Sequence, residues 1–188
     1  MEDAVVNPGV WLDENLLHLI ATHRVGWATD GARAVMDAGT NLAVMAAVAL
    51  IALAIVVARR AFRTAIAVAL AVIGSTVAAG MLKHFFDRAR PPADLALVHL
   101  SGAAMPSTHA ARTAAASTAL VVAVAWSTAR VRLVWGLALA AGTVGIGACL
   151  VYLGVHWPTD VLAGWALGAA VGATAGLLCR PRSRFSKS

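Results

Sequence analysis

Five long apolar segments dominate this chain, and only a few charged side chains interrupt them. Each segment is close to the roughly 20 apolar residues that a helix needs to cross a bilayer. With 60% hydrophobic and 13% charged residues and a mean hydropathy of +0.78, the chain is too apolar for a soluble domain. We therefore predict an all-α fold, a polytopic transmembrane helix bundle of about five spans. The predicted spans are residues 39–58, 63–82, 110–127, 131–152 and 161–178.

Residues 1–38 are less apolar than the rest of the chain. They carry two amphipathic patterns, which predict interfacial helices lying on the outer leaflet. Polar side chains at Asp13, Glu14 and His18 interrupt any span in the first pattern. A sixth, broken span in this segment is the alternative. The apolar side chains expected on one face of the first helix are Trp11, Leu12, Leu16, Leu17 and Ile20.

Basic residues gather in three short clusters, which the positive-inside rule assigns to the cytoplasm. The net charge of +6 is thus explained by membrane orientation, and no stripe suited to nucleic acid is found. We expect a multi-pass cell-membrane protein with interfacial helices at 1–38, a transmembrane domain at 39–179 and a basic cytoplasmic tail at 180–188. The two remaining polar connections, 83–109 and 153–160, then share the extracytoplasmic face. The clusters are Arg59, Arg60 and Arg63; Arg130 and Arg132; and Arg180, Arg182, Arg184 and Lys187.

The first polar connection contains Lys83, Arg88, Arg90 and two prolines. One interpretation is structural, because Lys83 could extend to the head groups and the arginines could anchor lipid. The other is a phosphate site, in which arginine offers a planar fork and lysine a compact charge. Pro91 and Pro92 favour the phosphate site, since they restrict the backbone that follows Arg90.

Pro106-Ser107-Thr108-His109 opens the third predicted span. Ser107 or Thr108 is suited to cap the helix, which is a purely structural role. The free backbone N–H groups of a helix N-terminus also bind anions. His109, in the first turn, could then protonate a leaving oxygen, because a histidine titrates near neutral pH.

The second polar connection contains His156 and, four residues later, Asp160. Such a pair is often only a structural contact. Because Asp160 begins a helix just after Pro158, its carboxylate could instead orient the imidazole of His156 and increase its nucleophilicity.

These three blocks, in this order and at these span boundaries, resemble the type 2 phosphatidic acid phosphatase family of membrane lipid phosphatases, whose superfamily includes the vanadium haloperoxidases. The family motifs are Lys, six residues, Arg-Pro; Pro-Ser-Gly-His; and Ser-Arg, five residues, His, three residues, Asp. The resemblance covers about residues 39–178. The matching residues are Lys83, Arg90-Pro91, Pro106-Ser107-Thr108-His109, His156 and Asp160.

The resemblance implies a hydrolase that removes phosphate from lipids through a phosphohistidine. By that resemblance His156 attacks phosphorus, Asp160 orients it, and His109 protonates the leaving group. No metal or other cofactor is expected. The groups implied to hold the phosphoryl oxygens are Lys83, Arg90, Ser107 and Thr108.

The third motif departs from the family pattern, because its Ser-Arg positions are Cys149-Leu150 here. Losing one transition-state donor typically costs about 3–4 kcal/mol, or about a hundred- to a thousandfold in rate. Two nearby cations, Arg88 and Arg112, are candidates to replace the missing arginine. Thr108 in place of glycine keeps the backbone N–H but adds bulk.

Several functions remain compatible with these motifs. The substrate of a phosphatase could be a polyprenyl diphosphate, a polyprenyl-phosphosugar phosphate, phosphatidic acid or phosphatidylglycerol phosphate. A phosphotransferase would use the same phosphohistidine with another acceptor. Leu150 favours a third alternative, a weakly active or non-catalytic lipid-binding or partner subunit.

The last predicted span carries glycine at every fourth position, which would let another helix approach closely. The partner could be a helix of the same bundle or, in a homo-oligomer, a second copy of the chain. Cys149 and Cys179 are expected to pack as small apolar residues without a disulfide. The glycines are Gly164, Gly168, Gly172 and Gly176.

Overall fold

The structure is a computed structural model that describes residues 8–180, and the predicted tail at 180–188 lies outside it apart from Arg180. The described chain is all-helical, which confirms the predicted fold class. The helices are α1 (Pro8–Thr22), α2 (Gly26–Thr40), α3 (Leu42–Arg59), α4 (Phe62–Phe86), α5 (Thr108–Ala123), α6 (Ala129–Tyr152) and α7 (Pro158–Cys179).

Among the helices of residues 8–180, four are long and apolar enough to cross a membrane, namely α3, α4, α6 and α7. The predicted span at 110–127 corresponds to α5, which has 16 residues and ends at Ala123. At 1.5 Å per residue α5 is about 24 Å long, shorter than the roughly 30 Å hydrocarbon core. It lies in the centre of the bundle, packed against α4, α6 and α7. By length alone α5 falls short of the other four helices, although it runs through the same bundle between them.

Alanine and glycine allow α5 and α7 to approach closely. The side of α5 that faces its neighbours is built from buried alanines, including Ala111, Ala115 and Ala119. A Cβ added to Gly168 would lie 2.2 Å from the carbonyl oxygen of Ala111. The glycine ridge therefore packs against α5 of the same chain, which is the first of the two alternatives. Cys149 and Cys179 are both free.

The N-terminal helices α1 and α2 have 15 residues each, too few for a span. Within residues 8–180 there is accordingly no sixth span in this region. Of the predicted apolar face of α1, Trp11, Leu12 and Leu16 are exposed, the placement expected of side chains that face lipid. The face that packs on the bundle instead contains Asp13 and Leu17, which are one helical turn apart and fully buried.

The two polar connections meet at one end of the bundle, as the parity of the spans predicts. There the backbone N–H of Ser107 donates to the carbonyl oxygen of Asp160 at 2.9 Å. At the other end, Arg63 Nε donates to the carbonyl oxygen of Cys179 at 3.0 Å, which joins the start of α4 to the end of α7.

The α5–α7 contact predicts a marked difference between two glycine substitutions. Gly168→Ala forces the two helices apart, and overpacking of this kind costs about 1–3 kcal/mol. Gly142→Ala is the matched control, since a Cβ at Gly142 meets no atom within 4 Å. We expect Gly168→Ala to lower the thermal midpoint in detergent while Gly142→Ala leaves it unchanged or raises it. Equal midpoints for the two variants would contradict the packing described here.

Candidate active site

Asp160 lies in the first turn of α7 with its carboxylate fully buried. Its Oδ2 accepts a hydrogen bond from the backbone N–H of Trp157 at 3.0 Å, which caps the helix. Its Oδ1 accepts from Arg88 Nη1 at 2.8 Å. The carboxylate is therefore held in one orientation by a helix terminus and a guanidinium.

His156 is buried in the turn between α6 and α7. Its Nδ1 lies 3.4 Å from Asp160 Oδ2, a long contact, and has no hydrogen-bond partner among the described residues. Its Nε2 faces Arg90 Nη1 at 3.4 Å. This arrangement directs Nδ1 toward the carboxylate and leaves Nε2 to face the cationic side of the site.

Burial lowers the pKa of His156 below its usual value, and the nearby Arg90 and Lys83 lower it further. The nearby carboxylate of Asp160 opposes this change by raising the pKa of His156. The net direction is downward, so the imidazole is neutral at neutral pH. A neutral imidazole is the form that can act as a nucleophile.

Arg90 and Lys83 are fixed by backbone carbonyl groups. Arg90 donates from Nε to Gly102 at 3.0 Å and from Nη1 to Val155 at 2.8 Å. Lys83 Nζ donates to Ala103 at 2.5 Å. Arg90 Nη2 has no acceptor within the part of the chain that is described, so it can donate to a phosphoryl oxygen.

The start of α5 supplies fewer backbone donors than the sequence predicts. Ser107 is fully buried; its N–H is bonded to Asp160, and its Oγ accepts from the N–H of Ala110. Ser107 therefore organises the helix start and cannot bind phosphate through its N–H, which corrects that expectation. The N–H groups of Thr108 and His109 have no acceptor among residues 8–180 and remain suited to an anion.

His109 projects from the first turn of α5 and is half-buried. It lies within electrostatic reach of His156, Arg90 and Lys83. The structure thus brings the two histidines and the two cations of the motifs to one place.

The two candidate replacements for the missing arginine differ in their surroundings. Arg88 donates to Asp13 at 2.6 Å and to Asp160 at 2.8 Å, so it holds carboxylates and is not a phosphate clamp. Arg112 is exposed and lies within electrostatic reach of His109. Its Nε donates to Thr76 Oγ1 on α4 at 2.8 Å, a partner that the sequence does not suggest.

Leu150, at the position of the family arginine, is 4% exposed and belongs to the apolar core beneath the site. Among the described residues, no group of three or more His, Cys, Asp or Glu is placed to hold a metal ion. A large cavity of about 1230 Å³ lies near Arg132 and Arg180 at the opposite end of the bundle. It contains none of the motif side chains, so we assign the active site from the polar geometry.

Three residues of the site escaped the sequence analysis. Thr159 donates to the carboxylate of Asp13 from its backbone N–H and from its hydroxyl, and Trp157 Nε1 donates to the carbonyl oxygen of Ala89 at 2.9 Å. In the sequence, the one sign that Asp13 is buried is its four-residue spacing from Leu17, which places a carboxylate on the same helical face as a core leucine.

Proteins of known structure share this fold. The chain is 22% identical to a transmembrane PAP2 type phosphatidylglycerolphosphate phosphatase from Bacillus subtilis, with a TM-score of 0.81 over 96% of this chain and 90% of that one. It is 23% identical to LpxE of Aquifex aeolicus, with a TM-score of 0.65 over 89% of this chain and 94% of that one. No curated protein sequence matches the chain. Residues 64–183 match the family model described as PAP2 superfamily, and the chain therefore belongs to the PAP2 superfamily.

Proposed function

We propose that this protein is an integral-membrane phosphatase that hydrolyses a lipid phosphate or diphosphate through a phosphohistidine intermediate. The observation that supports this most strongly is the His156–Asp160 pair facing Lys83 and Arg90. A neutral nucleophile stands beside two fixed cations, and the N-terminus of α5 with its free N–H groups adjoins them. The solved structures support the fold, and the proposed chemistry depends on the site geometry.

In the first step, the phosphoryl oxygens bind Lys83, Arg90 and the N–H groups of Thr108 and His109. The lone pair of His156 Nε2 attacks phosphorus as the bond to the leaving oxygen breaks. His109, protonated, gives its proton to that oxygen. Asp160 accepts the Nδ1 proton of His156 in a hydrogen bond, which stabilises the positive charge that develops on the imidazole.

In the second step, His109 takes a proton from a water molecule as the water oxygen attacks phosphorus. The bond between phosphorus and His156 Nε2 breaks, which releases inorganic phosphate and restores both histidines. If an alcohol replaces water in this step, the same site is a phosphotransferase. The lipid could be a polyprenyl diphosphate, a polyprenyl-phosphosugar phosphate, phosphatidic acid or phosphatidylglycerol phosphate.

Buried Leu150 favours a second candidate function, a weakly active or non-catalytic lipid-binding or partner subunit. The family clamp is absent, and an apolar side chain packs in its place. Against this candidate, the motifs retain their other charged or titratable side chains, which are Lys83, Arg90, His109, His156 and Asp160. We propose that Arg112 supplies the missing donor, because only its Nε is used by Thr76.

Covalent catalysis predicts distinct effects for the two histidines. His156→Ala should abolish phosphate release from every lipid phosphate and prevent radiolabelled phosphate from remaining on the protein after an acid-free quench. His109→Ala should slow release by about a hundred- to ten-thousandfold, most for poor leaving groups, because it removes the general acid. His99→Ala, an exposed histidine of the connecting loop, is the control. Full activity of His156→Ala would exclude this mechanism.

The basic clusters lead us to propose that the site faces the extracytoplasmic side of the cell membrane. A cysteine introduced at exposed Ala93, near the site, should react with a membrane-impermeant thiol reagent in intact cells. A cysteine at Ala61, between α3 and α4 at the other end, is the matched control and should react only after lysis. The reverse pattern would place the site on the cytoplasmic side.

The assignment of Arg112 predicts that Arg112→Ala lowers kcat/KM by about a hundredfold, the usual loss for one transition-state donor. Arg112→Lys should recover part of this loss, since it restores the charge without the planar fork. Arg132→Ala removes the same charge at the opposite end of the bundle and should have no effect. A loss smaller than tenfold for Arg112→Ala would favour the weakly active alternative.

A further inference from the structure

Asp13 is a buried carboxylate on α1, outside every motif of the family. Its side chain is 2% exposed, whereas its neighbours Leu12 and Glu14 are exposed. Its Oδ1 accepts from the backbone N–H of Thr159 at 3.0 Å, and its Oδ2 accepts from the Thr159 hydroxyl. A buried carboxylate is costly unless it is paired, so this placement requires a charged partner.

That partner is Arg88, which bridges two carboxylates. Its Nη2 donates to Asp13 Oδ2 at 2.6 Å, and its Nη1 donates to Asp160 Oδ1 at 2.8 Å. Its guanidinium lies over the ring of Trp157, 5.5 Å from the centroid. Asp13 therefore belongs to a continuous chain of contacts that runs through Arg88 and Asp160 to His156.

The charges of Asp13, Arg88 and Asp160 indicate how Asp13 affects His156. Arg88 and Asp160 alone would form a neutral pair, and a neutral pair stabilises positive charge on His156 only weakly. With Asp13 included, two carboxylates and one guanidinium carry a net charge of −1. The negative charge of Asp160 then remains effective toward the imidazole.

We propose that Asp13 is a positioning residue that balances the charge of Arg88, so that Asp160 can orient His156 and stabilise its developing charge. This inference rests on the proposed function for its effect on turnover. Its effect on the imidazole itself does not depend on turnover. α1 thus contributes a polar group to the active site from outside the matched region of the family.

The pKa of His156 is the quantity that tests this role. The charged or titratable groups that face its imidazole are Lys83 from α4, Arg90 from the connecting loop, His109 from α5 and Asp160 from α7. Asp13 acts behind these groups, through Arg88. Removing its negative charge should lower the pKa of His156, and removing the positive charge of Arg88 should raise it.

The experiment is a titration of the histidine side chains by NMR in the full-length protein, with His156 assigned by loss of its signal in His156→Ala. Asp13→Asn should lower the pKa of His156 by roughly one pH unit. Arg88→Gln should raise it by a similar amount. The double variant Asp13→Asn/Arg88→Gln restores the net charge of −1, so its pKa should return toward that of the parent. Glu14→Gln, which removes an exposed carboxylate from the same helix, is the control and should leave the pKa unchanged.

A merely structural role for Asp13 predicts the opposite direction. If Asp13→Asn loosened α1 and admitted water, the pKa of His156 would rise toward its usual value, because burial is the largest cause of its depression. A rise or no change in Asp13→Asn, or a double variant with a pKa no closer to that of the parent than Asp13→Asn, would overturn the proposal.

Turnover provides the second readout. In an active parent, Asp13→Asn should lower kcat by roughly tenfold with little change in KM, because one pKa unit corresponds to a tenfold change in equilibrium. A parent that releases no phosphate from any lipid phosphate would refute the proposed function. The His156 titration would still decide the role of Asp13.

Discussion

The proposed active site depends on one buried carboxylate, that of Asp160. The side-chain carboxylate of Asp160 accepts hydrogen bonds from the backbone N–H of Trp157 and from Arg88, and it faces His156. The backbone carbonyl oxygen of Asp160 accepts from the N–H of Ser107. A buried carboxylate without partners would cost several kcal/mol, so the surrounding segments are favoured only in positions that satisfy it. One residue thus joins the start of α7, the start of α5 and the loop that follows α4.

Close helix packing supplies the rigid base for these contacts. The glycines of α7 and the alanines of α5 remove side chains from the interface, so the two N-termini lie near enough for Ser107 to reach Asp160. The polar groups then come from the connections, where water and head groups are available. α1 completes the arrangement from outside the spans, with Leu17 in the apolar core and Asp13 on Arg88.

The family arginine has been replaced by a residue that serves the core. Leu150 packs among apolar side chains at the end of α6, where an arginine would need a phosphate or a carboxylate to remain buried. The cations that remain have divided roles. Arg90 faces His156, Arg88 holds two carboxylates, and Arg112 lies on α5 beside Thr76. Nearness to a motif in sequence therefore does not decide which group a cation contacts in the fold.

Hydropathy and residue spacing were sufficient to predict the helical membrane bundle and the meeting of its two polar connections. Span length and the sign of the flanking charges can be read along the sequence, and they predict the topology. The four-residue spacing of His156 and Asp160 likewise predicts that the two side chains lie side by side. Three features could be found only in the folded chain. They are the two carboxylate partners of Arg88, the hydrogen bond from the Ser107 N–H to Asp160, and the end of α5 at Ala123. Asp13 and Thr159 are 146 positions apart, and no periodic pattern connects residues at such a separation. Their contact arises only when α1 packs against the bundle, where burial makes a partner for each charge obligatory.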